Sequence, residues 1–280
     1  MVKSESKSNW NLIIHIPAYN SEKSLPELLL RLGKSVESLK KSGITTKQVI
    51  VIDDGSTDGT ANVIRSATRD AEKKLQSNLP LALIQKKKNE GPVAAVLDGM
   101  KAALDFADKN GLTLANTIIL RMDSDLEHQP EDIERVLDAV VSGAADVSVG
   151  YIHFDSRNGL LAPFFNEMVG LSESSLLGMG IPQFCPGFVA FRAHILKKVY
   201  PKLINASERF KKTFGIEMVT LDFVALAMAK LEFSSTIESV RLSPIENKWI
   251  KKIPLGKLWK YLDLHKKTME FLKKYSISQE

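Results

Sequence analysis

The chain of 280 residues is long for an average domain but within the range of one large α/β domain, and its 44% apolar residues can fill such a core. A single cysteine, Cys185, excludes an intramolecular disulfide framework, no charged leader with an apolar run opens the chain, and no apolar run approaches the roughly 20 residues needed to cross a bilayer. A cytoplasmic protein is expected. The net charge of +5 is local: residues 248–275 hold nine lysines against Asp263 and Glu270, leaving the remainder at −2, unlike the evenly basic surface of a nucleic-acid binder.

In chain order, residues 11–16 (NLIIHI), 48–52 (QVIVI), 81–84 (LALI), 117–120 (TIIL) and 146–150 (DVSVG) are short apolar or β-branched runs suited to strands buried on both faces. Helical patterns lie between them. The first carries Ser24 and Glu27 at capping-box spacing with Pro26 in the first turn, then an apolar stripe of Leu28, Leu29, Leu32, Val36 and Leu39. Others cover about 60–75, 91–109 and 130–141. This alternation predicts an α/β fold with a mostly parallel, Rossmann-like sheet, helices on both faces, and ligands at the carboxyl ends of the strands. Residues 151–215 mix Gly, Pro and aromatics without steady periodicity and read as loops over those strand ends.

Three polar clusters follow strands directly: PAYNSEKSL after the first, DDGSTDGT after the second and RMDSDLEHQPEDI after the fourth. Each has an ordinary reading, a capped turn for Asp53 and Asp54 and a solvated loop for the acidic run. Together they place carboxylates around one crevice, where their repulsion calls for a cation. No His/Cys cluster has zinc spacing, and carboxylate oxygens suit Mg²⁺ or Mn²⁺ shared with a diphosphate. In an extended chain Asp123, Asp125 and Glu127 all face one ion. His128 is a weaker candidate, since a lone His beside Gln-Pro is more often a hydrogen-bonding loop residue.

The segments IPAYNSEKSL, VIDDGSTDGT, NEGPVAAVLDGMKAAL and RMDSDLEHQPEDI resemble, in order and spacing, family 2 glycosyltransferases of GT-A fold. The wording of the last segment is most similar to dolichol-phosphate mannosyltransferases and their polyprenyl-phosphate relatives. The resemblance covers residues 11–150 strongly and thins beyond. It implies that Pro17, Ala18, Tyr19 and Glu22, with Asp53 and Asp54, line the nucleotide pocket. It further implies that Asp123 and Asp125 hold Mg²⁺ or Mn²⁺ on the donor diphosphate. Glu127 stands where that branch has Gln.

The second half departs from that branch. Its Gly-Ser-Arg segment is replaced by VGYIHFDSRNG, so that either Arg157 substitutes for the phosphate-binding Arg or phosphate recognition is lost. CPGFVAFR offers Gly187, Phe188 and Arg192 in a similar position, or else a strand and turn beside the core. EMVTLDFVALAMAKLEF is similar to the acceptor-side helix, with Asp222 as the acidic residue facing the acceptor and Glu217 as the less suitable choice; either also reads as an ordinary helix charge.

The resemblance implies a GDP- or UDP-sugar donor and inversion by direct displacement. A polyprenyl-phosphate acceptor, with a second pKa about 6, is already an anion near pH 7, whereas a sugar hydroxyl requires a base such as Asp222. Residues 1–245 are expected to form the catalytic domain and 246–280 a basic amphipathic segment. Trp249, Trp259 and the lysines of that segment suit an anionic membrane surface, the alternative being a helix packed on the domain. Two other readings are a nucleotidyltransferase, whose Gly-rich N-terminal signature is absent, and a non-catalytic nucleotide-sugar-binding protein, in which the metal carboxylates need not be intact.

Overall fold

The computed structural model of the chain describes residues 9–72, 79–152, 187–246 and 250–277, together with Leu161, Pro163, Phe164, Met168 and Lys248. Arg157, Cys185 and Trp249 lie outside the described residues. Alternating β-branched and apolar residues build β1 (Trp10–Ala18), β2 (Ile44–Asp53), β3 (Leu81–Gln85), β4 (Thr117–Arg121) and β5 (Val147–Tyr151). Two more strands, β6 (Val189–Arg192) and β7 (Ile237–Arg241), complete a seven-stranded sheet of order β3-β2-β1-β4-β6-β5-β7. All neighbours pair in parallel except β6, which runs antiparallel to both β4 and β5.

Helices cover both faces. Leu12, Ile14 and Ile16 of β1 face α1 (Leu25–Leu39) and α4 (Ile133–Val141), and α2 (Thr60–Glu72) adds Ile64 to the same layer. Ile13 points the other way, toward α3 (Pro92–Lys109), α5 (Ala193–Phe214), α6 (Leu221–Phe233) and α7 (Leu255–Ile277). The period-2 alternation of the strand thus divides the core into two layers. Helix α6 is buried at every position from Leu221 to Met228, as its apolar run requires of a helix lying between others.

Two expectations are corrected. Residues 189–214 are not loop: they form a central strand and a 22-residue helix whose periodicity is interrupted by Pro201. Nor does a capping box start α1. The Ser24 hydroxyl makes no cap bond and instead donates to the Ser124 carbonyl at 2.7 Å, tying the helix to the loop after β4.

The basic tail packs on the domain through α7. Leu258, Leu264, Phe271 and Leu272 are buried, the Phe271 ring meets Phe210 edge-on at 5.5 Å, and the Thr268 and Thr220 hydroxyls are 2.8 Å apart. No helix among the described residues is long and apolar enough to cross a membrane.

Candidate functional site

The order 3-2-1-4 puts the switch of strand direction of travel between β1 and β4, so the crevice opens beyond their carboxyl ends. Its first wall is the β1–β2 pair. Ala18 stands in register with Asp53, and the Asp54 amide donates to the Ala18 carbonyl at 2.9 Å. Pro17, next to the last residue of β1, is half-buried, Tyr19 is exposed just past the strand, and Asn20 accepts from the Thr57 amide at 2.9 Å. Glu22 accepts from the Gly59 amide at 3.0 Å. The two loops named by the sequence are therefore stitched to each other.

Asp53 and Asp54 are both buried. Asp53 accepts from the Ser56 amide at 3.0 Å, and its other carboxylate oxygen has no hydrogen-bond partner among the described residues. Asp54 accepts from the amides of Glu90 and Gly91 at 3.1 and 2.8 Å and pairs with Lys86 at 3.1 Å. Both oxygens of Asp54 are thus engaged in holding the loop before α3.

The second wall is the end of β4. Arg121, the last residue of the strand, bonds Asp222 with one guanidinium nitrogen and Asp123 with the other, the latter at 2.9 Å. Asp222 sits buried in the first turn of α6, so this arginine joins the acidic loop to the second half of the chain. The loop does not stay extended as expected: Leu126 takes φ 62° and turns the chain. Even so, Asp123, Asp125 and Glu127 remain half-buried on the crevice side while Met122, Ser124, Leu126 and His128 are buried behind them.

Asp125 and Glu127 converge on one cation, Lys251, at 2.5 and 3.4 Å. Burial pulls the Asp125 carboxyl upward, but the Lys251 charge and hydrogen bond outweigh it and hold the group below the ordinary range. Glu127 shifts the other way, raised by burial and by the Asp125 charge, with Lys251 offsetting only part. Lys251 is itself raised: its desolvation is outweighed by the two carboxylates.

Gly187 closes the floor with φ 56°, and a Cβ there would lie 2.4 Å from an Asp123 oxygen and 2.9 Å from His128. Only glycine permits that approach. His128 packs on Phe188, their ring centroids 5.4 Å apart, so the structure gives it a core position. Arg192 is not brought together with the other candidates: the guanidinium lies at the amino end of β4, donating to the Val140 carbonyl and stacked 5.4 Å over Trp10. Glu217 is spent on Lys211 at 2.5 Å.

Among the described residues no three His, Cys, Asp or Glu side chains converge into a metal cage. The donor set fits Mg²⁺ or Mn²⁺ bound by one or two carboxylates and completed by phosphate oxygens, and the lysine already seated on those carboxylates marks the place where positive charge is favoured. Arg121 and Lys251 were missed in the sequence. Arg121 ends an apolar strand two residues before Asp123, on the same side of the strand, which is a readable signal. Lys251 is one of nine tail lysines and carries none.

A fold of this form is that of the GT-A class. The profile of glycosyl transferase family 2 matches residues 13–200, and the chain belongs to that family. Among curated relatives, the undecaprenyl-phosphate 4-deoxy-4-formamido-L-arabinose transferase of Aeromonas hydrophila is 29% identical over 181 residues, 65% of this chain and 48% of that protein. The dolichol-phosphate mannosyltransferase of Pyrococcus furiosus is 24% identical over 190 residues, 66% of this chain and 47% of that one. The chain spans about half the length of these relatives. Glucosyl-3-phosphoglycerate synthase from Mycobacterium tuberculosis, in complex with Mn²⁺, uridine diphosphate and glucosyl-3-phosphoglycerate, shares the fold. Its TM-score is 0.61 at 14% identity, covering 95% of this chain and 81% of that one.

Proposed function

We propose that this protein is a metal-dependent, inverting glycosyltransferase that moves a sugar from a GDP- or UDP-sugar to a polyprenyl-phosphate acceptor at a membrane face. The observation that carries the acceptor class is the Arg121–Asp222 ion pair. A buried carboxylate bonded to a guanidinium is a poor proton acceptor, because protonation would break the pair. A phosphate oxygen needs no base. It attacks the anomeric carbon as the bond to the nucleoside diphosphate breaks, and the diphosphate departs with the electron pair. Bound Mg²⁺ or Mn²⁺ supplies Lewis-acid stabilisation of that leaving charge. Asp123 and Asp125 are the residues to hold the ion, with Glu127 beside them, while Tyr19, Glu22 and Asp53 border the nucleotide pocket and Asp54 supports it.

Support from relatives lies in their polyprenyl-phosphate substrates, and for the donor and metal in the uridine diphosphate and Mn²⁺ bound by the synthase of like fold. The membrane part rests on the outward face of α7. Trp259 is 65% exposed there, the same helix carries the exposed Lys257, Lys260 and Lys266, and each lysine near an anionic surface contributes up to about 1 kcal/mol. Sedimentation with anionic vesicles is expected to fall with salt and with replacement of these three lysines by Gln; salt-insensitive sedimentation would argue against it.

The test is turnover of the purified chain on UDP- and GDP-sugars with Mn²⁺ and a short-chain polyprenyl phosphate. Nucleoside diphosphate release should need both metal and acceptor. Asp125→Ala should fold normally and lose at least about 100-fold in rate, roughly 3 kcal/mol of transition-state stabilisation. Full activity of that variant would end the reading.

A further inference from the structure

After β7 the chain returns across the carboxyl ends of the strands. Leu242 and Ile245 are buried and Ile250 packs on the same core layer as α1. Between them Glu246 meets Arg31 at 2.7 Å, and Lys248 bonds both carboxylate oxygens of Glu27 at 2.9 Å. Both anchors are on α1. Three residues further on, this strap lays Lys251 on Asp125 and Glu127.

We propose that Lys251 is a positioning residue for the donor diphosphate: its ammonium rests on Asp125 and Glu127 before metal binds, then passes to the diphosphate oxygens when metal and donor fill the site. This rests on the metal-dependent reading above. The first argument is charge. Asp123, Asp125, Glu127 and Asp222 bring four negative charges, and Arg121 and Lys251 bring two positive ones. The deficit of two matches one divalent cation.

The second argument is exclusion. An ammonium held on the same carboxylate oxygens as a divalent ion would set like charges a few ångströms apart in a partly desolvated site, where repulsion is strong. One of them has to leave those oxygens. Donor binding supplies fresh anionic oxygens beside the metal, which is where a displaced ammonium is drawn.

The third is reach. Lysine carries a compact charge on a flexible stem, and the Lys251 side chain is 58% exposed, so its head can swing while the strap stays anchored through Glu246 and Lys248. A purely structural ion pair would instead be expected to stay fixed in both states. A simple plug over the site would leave when donor arrives and contribute nothing to its binding.

These alternatives separate in Lys251→Met, measured by calorimetry with Mn²⁺ alone and then with uridine and guanosine diphosphate in saturating Mn²⁺. The proposal requires effects of opposite sign. Mn²⁺ alone should bind several-fold tighter, because its competitor is gone, and the preferred nucleoside diphosphate should bind weaker by on the order of tenfold, the scale of one hydrogen bond to a charged group. Lys251→Arg should keep most of the nucleoside diphosphate affinity. Tighter binding of both ligands identifies a plug and overturns the proposal; unchanged binding of both overturns it equally. An unaltered thermal melt excludes misfolding as the source of weaker binding. If the wild-type chain binds no Mn²⁺, or binds it as well after Asp125→Ala, the metal-site reading itself fails and takes this proposal with it. If Mn²⁺ binding depends on Asp125 but not on Lys251, only the proposal fails.

Discussion

The two acidic strand ends, Asp53–Asp54 and Asp123–Glu127, look alike in sequence but are neutralised in different ways. Asp54 is compensated from nearby, by Lys86 at the next strand end and by two amides of the loop before α3. The second cluster takes its charge balance from Arg121, which also holds Asp222 about a hundred residues on, and from Lys251 in the returning strap. Local compensation produces a buried, rigid support. Compensation by an exposed lysine leaves a cluster whose partner can be exchanged, which is what a site for a cation and a diphosphate requires. Acidic composition alone does not distinguish the two; the origin and exposure of the counter-charge do.

The strongest way to break this comparison is to remove the distant half of the compensation. Truncation after residue 247 deletes Lys251 and α7, whose Leu258, Leu264, Phe271 and Leu272 are buried. Each such side chain is worth about 1.5–3 kcal/mol in gross burial, so the loss rivals a typical total stability of about 5–15 kcal/mol. Differential scanning calorimetry should show no cooperative transition. A sharp melt with full enthalpy would make the tail an appendage after all.

Next in size is the local cluster. Asp54→Ala leaves two amides without their acceptor, at about 1–3 kcal/mol for each buried group left unpaired, and takes from Lys86 one of its three carboxylates, Glu90 and Asp98 remaining. Denaturant unfolding should register that loss, and nucleoside diphosphate affinity should fall with it as the loop before α3 slackens. A variant of wild-type stability with weakened nucleotide binding would place Asp54 against the base, as the family resemblance implied.

A smaller effect comes from His15, fully buried on β1 opposite Arg121 in register. Burial, aided by the Arg121 charge, lowers its pKa from 6.5 to about 3. The unfolded chain therefore takes up a proton first as pH falls, and folded-state stability is full above 6.5 and declines toward 3 at about 1.4 kcal/mol per pH unit. Between pH 7 and pH 5 the contribution is about 2 kcal/mol. Urea midpoints at the two values test it, and the His15→Asn variant should show a flatter dependence. An equal slope in both proteins would remove His15 as the cause.

How much of this was legible follows from where the physical signal is local. Strands β1 to β5 and helices α1 to α4 announce themselves through period-2 or 3.6 patterns that depend on near neighbours. Strand β6 has only four residues, and its antiparallel partners lie well before it in the chain, so nothing in VAFR marks it as an interior strand of the sheet. Helix α5 was obscured by Pro201. At the site, the D-x-D pattern was visible because alternate residues share a face. Ser24 illustrates the converse: its spacing to Glu27 fits a local cap, but the hydroxyl is drawn to Ser124, a hundred residues away. The Arg121–Asp222 and Lys251–Asp125 pairs are long-range in the same sense.

The smallest expected effect is the most discriminating, because it concerns Asp222. One of its oxygens bonds Arg121, and the other is buried with no hydrogen-bond partner among the described residues. If Asp222 only orients Arg121 against Asp123, Asp222→Asn keeps an oxygen for the guanidinium, and turnover with a polyprenyl phosphate should fall by less than about tenfold, within the span of one weakened charged hydrogen bond. The acid limb of its pH–rate profile should then match that of the wild type. A general base behaves otherwise, since an amide accepts no proton: losing one costs about 10² to 10⁴ in rate and removes the limb. Such a collapse, with acceptor affinity retained, would assign the unpartnered oxygen to a hydroxyl acceptor. The bridge from the acidic loop to α6 would then be a proton path and not a brace.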